Sequence, residues 1–231
     1  MDFFDVVEKR RSIRRFTTEK VPENVILKSL EAAIKAPNSS NAQTWDFYWI
    51  QSDVAKTKMI EACLSQSAAK TASDLVVIVA SPKAWKRSQS GLIQWVQEAN
   101  AHPSVIKYYQ KIVPFMHSYD ALNIFGLFKK ILFFLVGLFR PIMRGPATKG
   151  EIQCVAIKSA ALAAENFVLA IAAQGYASCM MEGFDEVRVR KIVPLNYSQK
   201  IVMVIAVGKE GENGTWGPRY RIPFDSVVHK I

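Results

Sequence analysis

The stretch from Glu151 to Gln174 is alanine-rich and contains no proline or glycine. Val155, Ile157, Ala160, Leu162, Ala163, Phe167, Leu169 and Ile171 spread apolar atoms around most of its circumference. A helix of that kind must be enclosed by other elements, so this segment predicts a core helix, closed by Gly175. Leu75-Val76-Val77-Ile78-Val79-Ala80 is too short for a helix and uniformly apolar, which predicts a strand buried on both faces. Phe47 to Ile50, Tyr176 to Met181 and Ile201 to Val207 predict further strands. Pro22 to Ala36 sets Ile26, Leu30, Ala33 and Ile34 on one face, an amphipathic helix that stops at Pro37. Helices interleaved with a sheet predict an α+β or three-layer arrangement.

The 231 residues suit one large domain or two small ones, with 50% apolar and 22% charged residues. A net charge of +10 points to anionic partners: a phosphorylated cofactor, nucleic acid or an anionic membrane surface. Cys63, Cys154 and Cys179 stand apart in apolar surroundings and read as reduced, buried thiols of a cytoplasmic protein. His102, His117 and His229 have no metal-ligand spacing, so no metal site is expected. The acidic start Asp2-Phe3-Phe4-Asp5 lacks a secretory apolar core. No helix-turn-helix, RNA-binding or zinc pattern supports nucleic-acid binding.

The charge is concentrated. Arg10-Arg11-Ser12-Ile13-Arg14-Arg15-Phe16 opens the chain, and Gly217-Pro218-Arg219-Tyr220-Arg221-Ile222-Pro223 lies near its end. Paired guanidinium forks beside a hydroxyl suit a phosphate. Pro37-Asn38-Ser39-Ser40-Asn41-Ala42-Gln43 is a loop dense in amides and hydroxyls, and Glu182-Gly183 follows the third strand. Taken in this order, the motifs resemble the FMN-dependent nitroreductase family over residues 1 to about 90 and 151 to 223.

That resemblance implies a three-layer α/β/α sandwich with a mostly antiparallel sheet, an intertwined homodimer, bound FMN, and NADH or NADPH as electron donor. It implies that Arg10, Arg11, Ser12 and Arg14 contact the flavin, and that Arg219 and Arg221 hold its phosphate. Pro37, Asn38, Ser39 and Asn41 come from the second subunit, Gln66 reaches the flavin through its amide, and Glu182 and Gly183 approach N5. The implied activity is ping-pong reduction of nitroaromatics, quinones or related small aromatic acceptors through N5, with no catalytic side chain. The same resemblance admits dehalogenation or flavin fragmentation. A non-enzymatic flavin-binding module at a membrane surface is the reading from a different class.

Residues 1–231 are expected to form one domain, with an apolar excursion at about 100–150. Within it, residues 124–140 are intensely apolar, but Lys129 and Lys130 interrupt the run before the ~20 residues needed to span a bilayer. On a helix, Gly126, Lys129, Lys130, Gly137 and Arg140 share one arc, and Phe, Leu and Ile fill the rest. Such a helix reads either as a lid packed on its own dimer or as a peripheral membrane segment ending at Pro141.

Overall fold

The computed structural model describes residues 2–231. Helix α1 (Phe3–Lys9) starts where the Asp2 carboxylate accepts the Phe4 N–H, and α2 (Glu23–Ala33) follows Pro22. Strand β1 (Trp45–Ile50) leads into α3 (Asp53–Ala62) and α4 (Ser67–Thr71), then β2 (Asp74–Ala80). The excursion holds α5 (Trp85–Glu98), α6 (Pro103–Lys107), a π-helical turn at Tyr108–Ile112, α7 (Val113–His117) and α8 (Ile124–Val136). Next come α9 (Lys149–Ala173), β3 (Ala177–Met181), α10 (Glu186–Ile192) and β4 (Lys200–Gly208).

The strands order as β1-β2-β4-β3, and every neighbouring pair is antiparallel. Alternation along β2 divides the core. Val76 and Ile78 meet Ile26, Ala33, Phe167 and Ile171 of α2 and α9, while Leu75, Val77 and Val79 meet Met59, Ala62, Ala69 and Val189 of α3, α4 and α10. These are the three expected layers. Phe167 is fully enclosed, and truncating such a ring to alanine costs about 3–5 kcal/mol.

Helix α9 is the expected core helix, entered through a capping box between Thr148 and Glu151. One stripe of it stays open, however. Ile157 and Leu162 are exposed, and so is Cys154, against the expectation of a buried thiol, because none of the described residues covers that side. Cys63 and Cys179 are buried, and burial pushes the Cys63 thiol up to about 11.

The excursion departs further from expectation. Helix α8 stops at Val136 with Gly137 as its cap, short of Pro141, and turns its apolar arc away from the rest of the chain. Gly126, Lys129 and Phe133 are buried while Leu127, Phe128, Ile131 and Phe134 face outward. The Lys129 ammonium donates to the main-chain carbonyls of Ser118 (2.9 Å), Met116 (3.3 Å) and Phe115 (3.4 Å), which lie at the end of α7. Burial lowers its pKa, opposed by Glu151 and Asp120.

Candidate functional site

The basic opening segment is laid out by two apolar anchors. The chain leaves α1 at Arg10 in extended conformation, and the Ile13 N–H donates to the Ser178 carbonyl of β3 at 2.9 Å, beside a parallel bridge between Ser12 and Ser178. Ile13 and Phe16 are buried in the layer below the sheet. Their burial turns Arg11, Ser12 and Arg14 toward the surface, part-exposed, and leaves Arg15 exposed.

After β4 the chain folds back across this segment. The Arg14 N–H donates to Gly214 O (2.7 Å), and the Gly211 N–H donates to Arg15 O (3.0 Å). Glycine is required at 214 by this approach: a Cβ there would lie 2.9 Å from Ile13 Cγ2 and 3.3 Å from the Arg15 carbonyl oxygen. Farther on, Arg219 Nη2 donates to Arg10 O at 2.7 Å and to Glu8 O, and Nη1 donates to Val7 O at 3.4 Å. Arg219 thus closes the carbonyl end of α1. Arg11 Nη2 donates to Gly217 O at 2.5 Å.

The two ends of the chain thereby enclose a cleft of about 340 Å³. Arg10, Arg11, Ser12, Arg14, Arg219 and Arg221 all line it, and no carboxylate does. The nearby acids lie outside: Glu165 pairs with Arg10 at 3.6 Å and Glu8 with Arg219 at 3.7 Å. Both are part-exposed surface pairs, worth at most about 1 kcal/mol each. An anion entering the cleft therefore meets Arg11, Arg14 and Arg221, which have no ion-pair partner among the described residues, the arrangement that suits a phosphate.

A second cleft, also of about 340 Å³, adjoins the first through shared Arg14 and Trp216. The Arg14 guanidinium carbon sits 3.7 Å from the centre of the Trp216 ring. Gln66 lines this second cleft, and its Nε2 donates to Gly183 O at 2.6 Å, so the amide and the turn after β3 are held together. Glu182 precedes that turn and is exposed. Burial raises the Cys179 thiol pKa, and the Arg14 charge offsets only part of that rise.

The polar loop lies apart. Asn38 Oδ1 accepts the Gln43 N–H at 2.8 Å, and Ser40 Oγ meets Tyr108 Oη at 2.6 Å. Ser40, Asn41 and Gln43 all have left-handed backbone, which gives the loop a fixed knuckle. Among the described residues, no hydrogen bond joins Pro37, Asn38, Ser39 or Asn41 to the arginine clefts of the same chain.

Trp216 was absent from the sequence expectations, although it is 84% exposed and bounds both clefts. An indole in a glycine-rich tail, three residues before an arginine pair, was the available signal. A wider cleft of about 670 Å³ is lined by Asp46, Ser81, Arg87, Tyr119 and Gln199 among others. Arg87 pairs with Asp46 there at 2.5 Å and Gln199 bridges Asp46 and Ser81, while Lys83 and Lys149 line it without an ion pair among the described residues. Unlike the arginine cleft it mixes both signs of charge, since the carboxylates of Asp46 and Asp120 line it as well.

Residues 7–209 match the Nitroreductase family. The fold and this match define an oxidoreductase of the nitroreductase type, and the chain belongs to the Nitroreductase family. Protein DrgA of Synechocystis sp. is 28% identical over 233 residues, covering 100% of this chain and 95% of that protein. An NADH dehydrogenase of Thermus thermophilus is 25% identical, covering 95% and 91%. Among solved structures, the putative nitroreductase ydfN of Bacillus subtilis superposes with a TM-score of 0.76 at 21% identity, covering 99% and 98%. A putative nitroreductase of Exiguobacterium sibiricum, solved in complex with FMN, gives 0.74 at 21% identity, covering 100% and 98%.

Proposed function

We propose that the chain is a cytoplasmic, FMN-dependent oxidoreductase that draws electrons from NADH or NADPH and delivers them, in ping-pong order, to nitroaromatics, quinones or related small aromatic acceptors. The observation that carries this reading is the carboxylate-free arginine cleft joined through Arg14 and Trp216 to a cleft lined by Gln66, whose amide holds the Gly183 carbonyl. A phosphate-bearing ring system needs such a pair of compartments, one cationic and one offering amides and main chain. When bound, the flavin supplies the hydride-accepting centre, which is why no nucleophilic side chain is required.

The protein's residues then bind and orient. Arg10, Arg11 and Arg221 supply guanidinium donors to the phosphate and Ser12 a hydroxyl. Arg219 has both Nη groups committed to α1 carbonyls, so its part is to brace the closing segment as well as to add charge. Arg14, held over the Trp216 ring, would bring positive charge to the polar edge of a bound flavin and so favour its reduced, anionic form. Gln66 fixes the Gly183 turn, and Glu182 and Gly183 offer main-chain groups beside it.

The functional unit in this reading is a homodimer. Its support is apolar surface on contacting elements: Phe3 and Phe4 of α1 and Ile157 and Leu162 of α9 are exposed. Pro37, Asn38, Ser39 and Asn41 would reach the clefts of a second copy, consistent with their separation from those of their own chain.

The test is anaerobic titration of FMN-loaded protein with each nicotinamide, followed by an acceptor panel, with flavin absorbance as readout. Bleaching by at least one nicotinamide and recovery on adding a quinone or nitroaromatic is expected. Protein that takes up no FMN would overturn the reading. Protein that keeps FMN unreduced by both nicotinamides would be a binding module instead.

A further inference from the structure

From Leu122 to Met143 the chain exposes ten large apolar side chains, each at least half accessible. Along α8 they are periodic: Leu127, Phe128, Ile131, Phe134 and Leu138 fall within an arc of about 120°, and Phe139, 89% exposed, continues the surface past the helix end. Their combined accessible area is on the order of 1,000 Å², above the few hundred Å² of an ordinary surface patch. This face is turned outward by design of the packing, because the helix is pinned from behind. The buried Lys129 ammonium holds three carbonyls, Asp120 accepts the Ile124 and Phe125 N–H groups, and Asn123 Oδ1 accepts the Lys149 N–H.

Charge selects the partner. Residues 99–150 contain seven lysines and arginines and a single acid, Asp120, which is engaged in capping α8. Lys130 is paired with Glu151, just beyond this stretch, whereas Arg140 and Arg144 are exposed next to the apolar segment and have no ion-pair partner among the described residues. A second copy meeting this face symmetrically would set these arginines against their own like charge, whereas an anionic lipid surface offers opposite charge to them and hydrocarbon to the face. We propose that α8 and the Leu138–Met143 segment dock in the plane of an anionic bilayer surface, apolar face down, with Arg140 and Arg144 at the headgroups. Helix α8 is about 20 Å long, too short to span and long enough to lie in the interface. The proposal is independent of the flavin reading.

The experiment is sedimentation of the FMN-loaded protein with vesicles of equal phosphatidylglycerol and phosphatidylcholine, against vesicles of phosphatidylcholine alone. Co-sedimentation with the anionic vesicles, weakened by salt, is expected. Leu127→Gln/Phe134→Gln should abolish it while leaving flavin absorbance unchanged, and Arg140→Gln should weaken it about fivefold. Protein that stays soluble with both vesicle types overturns the proposal, as does pelleting that the double substitution leaves unchanged. Equal binding to both vesicle types overturns the anionic selectivity. If the double variant instead drops to a smaller species in sedimentation velocity without vesicles, the face is a contact between copies and the lipid proposal fails.

Discussion

Replacing Lys129 with methionine keeps most of the buried stem and removes the charge. The ammonium serves three carbonyls, of which the Ser118 bond at 2.9 Å is short and those to Met116 and Phe115 are long. It also lies 5.1 Å from the Phe125 ring centre. The lost charge-assisted bond is worth about 1.5–3 kcal/mol, and each carbonyl left without a partner about 1–3 kcal/mol. Against this, methionine avoids several kcal/mol of ammonium desolvation. The opposing terms leave a net loss of about 1–3 kcal/mol, borne locally by α7 and α8. Hydrogen exchange should therefore accelerate over residues 113–136, while the β2 and β4 amides keep their protection. The wild type carries a further signature. Burial lowers the folded pKa of Lys129, so between that value and the ordinary lysine range the unfolded chain holds the extra proton, and stability rises with pH through the window. Lys129→Met should lack that rise. Unchanged exchange over 113–136, together with an unchanged pH profile, would refute the assignment of Lys129 as the anchor of α8.

Two other perturbations follow from the same contacts. Glu151 is held at about 2, chiefly by its hydrogen bond from Lys130 and then by the Ala147 N–H, so its contribution is present above the free value of 4.5 and lost as pH falls toward 2. Its carboxylate is 39% exposed and solvent screens it. Glu151→Gln should cost about 1 kcal/mol in urea unfolding at pH 7, with the difference from wild type closing toward pH 2. Arg14→Lys keeps the charge and loses the guanidinium held over Trp216; FMN affinity should fall about two- to fivefold, with a change in Trp216 emission, and titration showing neither would remove Arg14 from the site.

What the sequence disclosed depended on how local the cause was. Burial on both faces made β2 legible from Leu75 to Ala80, and the same uniform apolarity identified α9. The arginines that line one cleft were legible as a set because both clusters crowd guanidinium forks into short segments near the two ends of the chain. Their arrangement was not: Arg219 turns to the α1 carbonyls only because Gly214 lets the tail cross Ile13, a meeting of residues some 200 positions apart. Cys154 was misjudged for a related reason, since the apolar residues around it on α9 face a side that none of the described residues covers. Helices α3 and α5 went unpredicted, being more polar and resting on tertiary contacts.

Helix α8 shows why amphipathicity is half of an assignment. Periodicity identifies which residues share a face, but it is silent on which face the fold covers. Hydrophobicity alone favours burying the Phe, Leu and Ile arc and exposing Lys129. The structure does the opposite because backbone approach decides first. A Cβ at Gly126 would lie 3.1 Å from Thr148 Cα and 2.4 Å from Asn123 Oδ1, so only a glycine face can sit against the entry to α9. Lys129 lies one turn on from Gly126 and is carried inward with it. There a long, flexible stem ending in a point charge can gather three carbonyls from different directions, a task for which a planar guanidinium is poorly shaped. Gly126 and Lys129 therefore set the orientation, and the apolar arc is outward as their consequence. Where a glycine and a lone lysine share a helical face in an otherwise apolar segment, that face is the one to place against the protein.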